Sequence, residues 1–268
     1  MNQKKTLLEV RDLAVSFRMY ETGLRQRNLQ VIKKLSVSLH EGEVVAVVGA
    51  SGSGKSVLAH AVLGILPSNA IISGEIRYQG ELVTDELRRN KLGTEIVMIP
   101  QSVTYLDPLM KVGRQVRGTK GTKEQQEKAF ERYHLKKEVA KAYPFQLSGG
   151  MTRRVLVTTA VISGAKLILA DEPTPGLGEE DALETMKNFR ELADAGAGVL
   201  MITHDVDVAL QAADTIVVFR DGMTIDQCTK EQFLAGKEAL HHPYTRALWA
   251  ALPQNGFTVP ASEEEWRG

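Results

Sequence analysis

The sequence predicts an α/β fold built on a mainly parallel sheet with helices on both faces. Three observations predict it. Short, mostly apolar runs (44–48, 96–99, 167–170, 198–202 and 215–219) are separated by stretches whose apolar residues recur at helical spacing. The first of these runs enters a glycine-rich loop, Gly49-Ala50-Ser51-Gly52-Ser53-Gly54-Lys55-Ser56, and an amphipathic stretch, 57–66, follows the loop. Strands alternating with helices behind such a loop form parallel pairs with crossover helices packed on the sheet.

Taken in order, residues 7–17 alternate loosely and read as a strand. Residues 20–28 are polar and contain glycine, which predicts a loop. Residues 30–39 form a second strand, with Val31, Leu35, Val37 and Leu39 as its apolar positions, and Glu41-Gly42 turns into the strand before the glycine-rich loop. Residues 74–80 read as a short strand closed by a glycine turn, 85–91 as a helix and 96–99 as a buried strand. After Gln101 the strand signal stops. Residues 109–116 and 123–143 read as helical and charged, so 102–150 is expected to be a helical insert. The helix 150–161, the strand 167–170, the helix 179–193, the strand 198–202, a short helix from Asp205 and the strand 215–219 follow. Asp221-Gly222 is a hairpin turn signal. Residues 244–252 carry apolar positions that suit packing back on the body, and the tail beyond Pro253 is polar.

Composition narrows the class. Lys plus Arg and Asp plus Glu are 33 each, so there is no global basic excess of the kind a nucleic-acid surface needs. Cys228 is the only cysteine, so an internal disulfide or a thiolate cluster is excluded, and a reducing compartment is expected. Polar Met1 to Lys5 leads directly into a strand, which predicts no secretory signal. The most apolar stretch, 155–170, is interrupted by Ser163, Gly164 and Lys166, too soon to span a bilayer.

The glycine-rich loop fits the phosphate-binding pattern G-x-x-x-x-G-K-[ST], in the strand–loop–helix setting that pattern requires. Its backbone N–H groups and the N-terminal end of the following helix favour phosphate oxygens. Lys55 is positioned to reach the β- and γ-phosphates, and Ser56 to hold Mg²⁺. The strand 167–170 runs into Asp171-Glu172. An acidic residue at the C-terminal end of a strand is where the metal needs a ligand, so Asp171 is the expected metal residue and Glu172 the residue that polarises an attacking water. Leu147-Ser148-Gly149-Gly150-Met151 opens the helix 150–161. It offers free N–H groups and a hydroxyl at a positive helix end, although an N-cap serine followed by flexible glycines would look the same. Read alone, Gln101 is a polar loop residue and His204 a strand-end histidine.

These motifs in this order resemble an ABC transporter ATPase. The loop GASGSGKS corresponds to Walker A, Gln101 in MIPQS to the Q-loop glutamine, LSGGM to the signature, LILADE to Walker B, and His204 in ITHD to the switch histidine. The resemblance covers nearly the whole chain. It implies a P-loop NTPase fold in which 1–101 and 151–268 form a RecA-like nucleotide-binding core with an N-terminal antiparallel β subdomain, while the helical insert 102–150 contacts a membrane partner. It implies ATP and Mg²⁺ as cofactors and a head-to-tail dimer. Ser148, Gly149 and Gly150 would then touch ATP bound mainly by the partner ATPase. Gln101 would contact Mg²⁺ and the attacking water, and His204 would contact the γ-phosphate and pair functionally with Glu172. Phe17, with Tyr20 as second choice, is the expected aromatic against adenine.

Tyr143-Pro144-Phe145-Gln146, His242-Pro243-Tyr244-Thr245-Arg246-Ala247-Leu248, Gly64-Ile65-Leu66-Pro67 and Ser73-Gly74-Glu75-Ile76 further resemble the peptide and nickel importer ATPases. That likeness implies a second, related or identical ATPase subunit, two transmembrane permease subunits, an extracytoplasmic solute-binding protein and a place on the cytoplasmic face of the membrane. A C-terminal cysteine cluster, usual in the peptide type, is missing, which tilts the expectation toward nickel, with a peptide as the alternative. One departure stands out. Where the family pattern ends a small loop in Leu-Asp, this chain has Leu177-Gly178. The glycine raises the expectation of two unequal ATP sites, or of a subunit that dimerises on ATP with little turnover. A soluble ABC protein acting on ribosomes or DNA, and a small-molecule kinase, are the remaining rivals.

Overall fold

The computed structural model describes residues 5–22, 25–50, 52–101, 105–119 and 121–256. The strands are β1 (Thr6–Thr22), β2 (Arg25–His40), β3 (Val44–Val48), β4 (Ala70–Tyr78), β5 (Glu81–Leu82), β6 (Ile96–Ile99), β7 (Leu167–Asp171), β8 (Gly198–Thr203), β9 (Thr215–Arg220) and β10 (Met223–Thr229). They form one sheet in the order β5-β4-β1-β2-β10-β9-β3-β8-β7-β6. The β9-β3-β8-β7-β6 section is parallel throughout, and the β5-β4-β1-β2 section is antiparallel.

The parallel strands are apolar along their length because each supplies two cores. Val44, Ala46 and Val48 of β3 face one cluster, and Val45 and Val47 face the other. Ile168 and Ala170 against Leu167 and Leu169 in β7, and Val199 and Met201 against Leu200 and Ile202 in β8, repeat the same two-residue alternation. The first core is covered by α3 (Val112–Arg117), α4 (Lys123–Arg132), α5 (Gly149–Ser163) and α6 (Glu179–Asp194). The second is covered by α1 (Lys55–Leu63), α2 (Asp85–Lys91) and the antiparallel strands. The remaining helices are α7 (Val206–Ala209), α8 (Lys230–Leu234) and α9 (Pro243–Ala250). The last is tied down where Asp226 Oδ2 accepts from Thr245 Oγ1 at 2.6 Å.

The antiparallel and parallel sections meet along a thin seam. One ladder pair, Met223 with Lys34, joins β10 to β2. The Gly222 carbonyl accepts from both Lys33 N (2.7 Å) and Lys34 N (3.0 Å). The Thr224 hydroxyl replaces the next backbone partner, accepting from Ser36 N and donating to Ser36 O.

Two expectations change. Residues 20–22 and 25–28 are strand rather than loop, because β1 and β2 pair out to Thr22 and Arg25, with Arg18 opposite Asn28 and Tyr20 opposite Gln26. This part of the ribbon is exposed on its surface and covers no core, so it has no hydrophobic pattern to read. The helix expected over 123–143 stops at Arg132. Leu135 N donates back to Phe130 O at 2.8 Å, and His134 takes the left-handed conformation (φ 53°) that closes a Schellman-type end. Two short 3-10 turns, Lys137–Lys141 and Pro144–Gln146, then lead to α5. Among the described residues no helix is long and apolar enough to cross a membrane.

Candidate functional site

The carboxyl ends of four neighbouring parallel strands carry the site, which is where an open α/β sheet binds ligands. In spatial order, β3 ends at the glycine-rich loop, β8 at Thr203-His204, β7 at Asp171-Glu172 and β6 just before Pro100-Gln101. Residues from 49 to 204 are therefore placed side by side by sheet topology alone.

Gly49 has no room for a side chain, since a Cβ there would lie 2.0 Å from the Phe219 carbonyl oxygen of β9. Gly54 caps α1 in the left-handed conformation (φ 96°), and a Cβ there would press on Val31. Lys55 is buried, and its Nζ donates to the carbonyls of Gly49 (2.9 Å) and Ala50 (2.8 Å), so the ammonium lies inside the curve of the loop. Ser56 Oγ donates to Asp171 Oδ1 at 2.9 Å. Burial pushes the Lys55 ammonium below the usual lysine range, against the pull of Glu172 and Asp171. It pushes the Asp171 carboxyl above the usual range, against the Ser56 hydrogen bond. Both groups have given up water and lack a full counter-charge. Ser51 lies outside the described residues; Gly52 and Ser53 belong to the loop.

Glu172 is buried and sits in the left-handed region (φ 44°), with its N–H donating to Ile202 O at 2.8 Å. One carboxylate oxygen lies 2.9 Å from His204 Nδ1, and the other accepts from Thr203 Oγ1 at 3.3 Å. An ionised carboxylate only accepts, so Nδ1 carries the proton in this pair and Nε2 is left for another partner. Gln101 has an exposed side chain, and its carbonyl accepts from Arg153 Nη2 at 2.6 Å.

Beside the loop opens a cavity of about 1060 Å³, whose walls include Leu29, Val31, Gly52, Ser53, Gly222 and Tyr244. Phe17 is half-buried against the second core, and Tyr20 is exposed; neither lines this cavity. Leu29, which is paired with Phe17 across the ladder, does. Ser148 is the N-cap of α5, accepting from Met151 N at 3.3 Å. Ser148 and Gly149 are exposed and Gly150 is buried, and none of the three belongs to the cavity wall.

A triphosphate with Mg²⁺ fits these residues. Ser53 Oγ is buried in the loop with no hydrogen-bond partner, a donor waiting for an acceptor. Ser56 and Asp171 offer the hard oxygen ligands Mg²⁺ prefers, the rest coming from phosphates and water. Sequence reasoning missed Arg153, Thr203 and the apolar wall at Leu29 and Val31. Only the burial of one arginine of the pair Arg153-Arg154 separates it from its neighbour, and burial of that kind has no local signal.

A mixed sheet with a phosphate loop at the centre of its parallel section is the ATP-binding cassette fold, an α/β P-loop NTPase. The ABC transporter family model matches residues 32–175, and the chain belongs to that family as an ABC ATPase. It is 35% identical to the oligopeptide transport ATP-binding protein OppD of Bacillus subtilis (strain 168), over 97% of this chain and 74% of that protein. It is 31% identical to the dipeptide transport ATP-binding protein DppD of Escherichia coli (strain K12), over 92% of this chain and 79% of that protein. Among solved structures, a dimeric ATP-binding cassette in a post-hydrolysis state bound to ADP and Pi superposes with a TM-score of 0.70 at 24% identity, over 84% of this chain and 99% of the other. The cbiO1 protein of Clostridium perfringens, part of an ABC transporter complex, gives 0.69 at 24% identity, over 88% of this chain and 93% of that one.

Proposed function

We propose that this chain binds and hydrolyses ATP to drive an ABC importer of peptides, working on the cytoplasmic face of the membrane beneath separate permease subunits. The observation that carries the hydrolytic part is the contact between the Glu172 carboxylate and His204 Nδ1, next to Lys55, Ser56 and Asp171 on one sheet edge. Relatives named for oligopeptide and dipeptide transport support a peptide cargo. They move the reading away from nickel, which the missing cysteine cluster had favoured.

Lys55 and the loop N–H groups bind the β- and γ-phosphates, and Ser53 donates into the same anion. Ser56, Asp171 and Gln101 hold Mg²⁺, which when bound offsets phosphate charge. Leu29 and Val31 supply apolar wall beside the base, with Phe17 directly opposite Leu29 on the neighbouring strand. Glu172 takes a proton from the attacking water, and His204 holds the Glu172 carboxylate in place while its Nε2 addresses the γ-phosphate. Ser148, Gly149 and Gly150 serve the nucleotide of a second, related or identical ATPase subunit, since they open a helix N-terminus away from their own cavity wall, with Ser148 and Gly149 exposed. ATP that binds the closed pair more tightly than the open one shifts the population toward closure, and hydrolysis releases it. Exposed Leu109 (88%) and Phe145 (74%) offer apolar surface for a permease subunit, which in turn receives peptide from a solute-binding protein.

The test is Glu172→Gln in the assembled transporter. We expect ATP to bind with near-parent affinity, the two ATPase subunits to stay associated, and turnover with peptide uptake to fall by at least about a thousandfold. Brisk hydrolysis by this variant removes Glu172 from the role. A parent protein that associates on ATP without turnover favours the second reading, a dimerisation subunit, which Gly178 keeps in view.

A further inference from the structure

Arg153 lies in the first turns of α5 and is 3% exposed. Its guanidinium donates to three backbone carbonyls: Pro100, Gln101 at 2.6 Å and Glu172 at 3.3 Å. Among the described residues no carboxylate is recorded in an ion pair with it. The neighbouring Arg154 behaves differently, pairing with Asp181 and Glu184 of α6. A buried cation hydrogen-bonded to carbonyls rather than to a carboxylate is unusual, because burial disfavours its charge, which Asp171 supports only through its field, and carbonyls return less than a carboxylate would. What they return is geometry. The planar fork addresses several acceptors at fixed angles, which a flexible ammonium cannot do.

The three carbonyls belong to the ends of adjacent strands. Ile99 of β6 pairs with Ala170 of β7, so the chain leaves the sheet at Pro100-Gln101 and at Asp171-Glu172 side by side. Beyond the last ladder pair between β6 and β7, Arg153 supplies these carbonyls with a donor. Glu172 also sits at φ 44°, a conformation that persists in a residue with a side chain only where the surroundings hold it. Ile202 O holds its N–H, and Arg153 holds its carbonyl.

We propose that Arg153 is a positioning residue for hydrolysis: it fixes the peptides of Gln101 and Glu172 to the helix that carries Ser148-Gly149-Gly150, so a shift of α5 is felt directly at the Glu172 carboxylate. The inference rests on the reading of Glu172 given above. It makes the signature helix a mechanical neighbour of its own chain's water-polarising residue, in addition to its service to the partner's nucleotide.

Arg153→Gln and Arg153→Lys, each assembled with its transporter partners, test this. Turnover, KM for ATP, affinity for a fluorescent ATP analogue and melting temperature are measured together. Misplacing the carboxylate is expected to lower kcat about ten- to a hundredfold while leaving KM and analogue affinity within about twofold. In single-turnover reactions, adding Arg153→Gln to Glu172→Gln is expected to cost nothing further, because the residue acts through the carboxylate already removed. Parent-like kcat in both variants overturns the proposal. So do losses that multiply in the double variant, losses that follow the melting temperature, and failure of both variants to fold, each of which makes Arg153 a structural anchor. Normal turnover in Arg153→Gln beside an inactive Glu172→Gln defeats this proposal alone. Normal turnover in Glu172→Gln defeats the functional reading first.

Discussion

Gly49 shows how little freedom a single position can have. The 2.0 Å approach of a hypothetical Cβ to Phe219 O is a contact with backbone, which no rotamer change relieves. Gly49→Ala must push β3 and β9 apart or deform the loop. We expect a loss of about 2 kcal/mol in urea denaturation, together with weaker ATP binding. An alanine variant of parent stability would show that the strand ends are softer than their packing implies. The loop residues were legible because their spacing is local: Lys55 and Ser56 follow Gly54 directly, and the chemistry needs them there. Glu172 and His204 were legible as members of an ordered set and, through the family resemblance, as a functional pair; their 2.9 Å geometry was not, because β8 brings it about from 32 residues away. Arg153 and Arg154 are indistinguishable as text, and the fold alone makes one a buried fork on carbonyls and the other a part-buried ion-pair partner of α6. Cys228, in contrast, needed only its count; burial pushes its thiol up to about 12, which leaves it a small apolar side chain in practice.

Among the elements, α6 has an unusual start. Its N-cap is Gly178, with no side-chain cap, followed by Glu179, Glu180 and Asp181 in the first turn, where negative charge suits the helix dipole. Nothing lies within 4 Å of a Cβ built on Gly178, and its φ of −68° suits any residue. The glycine is therefore not required by the backbone. Gly178→Asp is expected to change stability by no more than about 0.5 kcal/mol, the cap gain being offset by the neighbouring acids. Any change in turnover, or in the number of ATP molecules occluded per dimer, then reports on the ATP sites rather than on folding. An unchanged rate with both sites equally active counts against unequal sites. Elements with a strong period were readable almost to their ends, as Asp85–Lys91 and Ile96–Ile99 show. The region after Arg132 was not, because Tyr133, Leu135 and Val139 bury themselves through turns, which impose no fixed repeat.

Across the whole molecule, Glu95 joins parts that share no strand pairing. It accepts from Lys91 of α2 at 2.6 Å, from the Tyr78 hydroxyl of β4 at 3.2 Å, and pairs with Lys166, just before β7, at 3.2 Å. The Lys91 hydrogen bond, helped by those from Lys166 and Tyr78, holds its carboxyl at about 2. The folded value lies below the unfolded one, so the stabilisation is fully present above about pH 5 and is lost as the pH falls toward 2. Glu95→Gln is expected to cost about 1 kcal/mol at neutral pH, allowing for solvent screening, and to flatten this part of the acid-unfolding curve. An acid limb of the same slope in the variant would place the lost protons elsewhere. The seam between β2 and β10 has a different consequence. A single ladder pair, one shared carbonyl and one threonine hydroxyl join the two sections there, so the antiparallel arm is held to the parallel strands chiefly by the second hydrophobic core, to which both contribute. The cavity beside the phosphate loop straddles that seam, taking Leu29 and Val31 from one side and Gly222 from the other. A ligand that fills it touches both sections at once and adds its contacts to theirs.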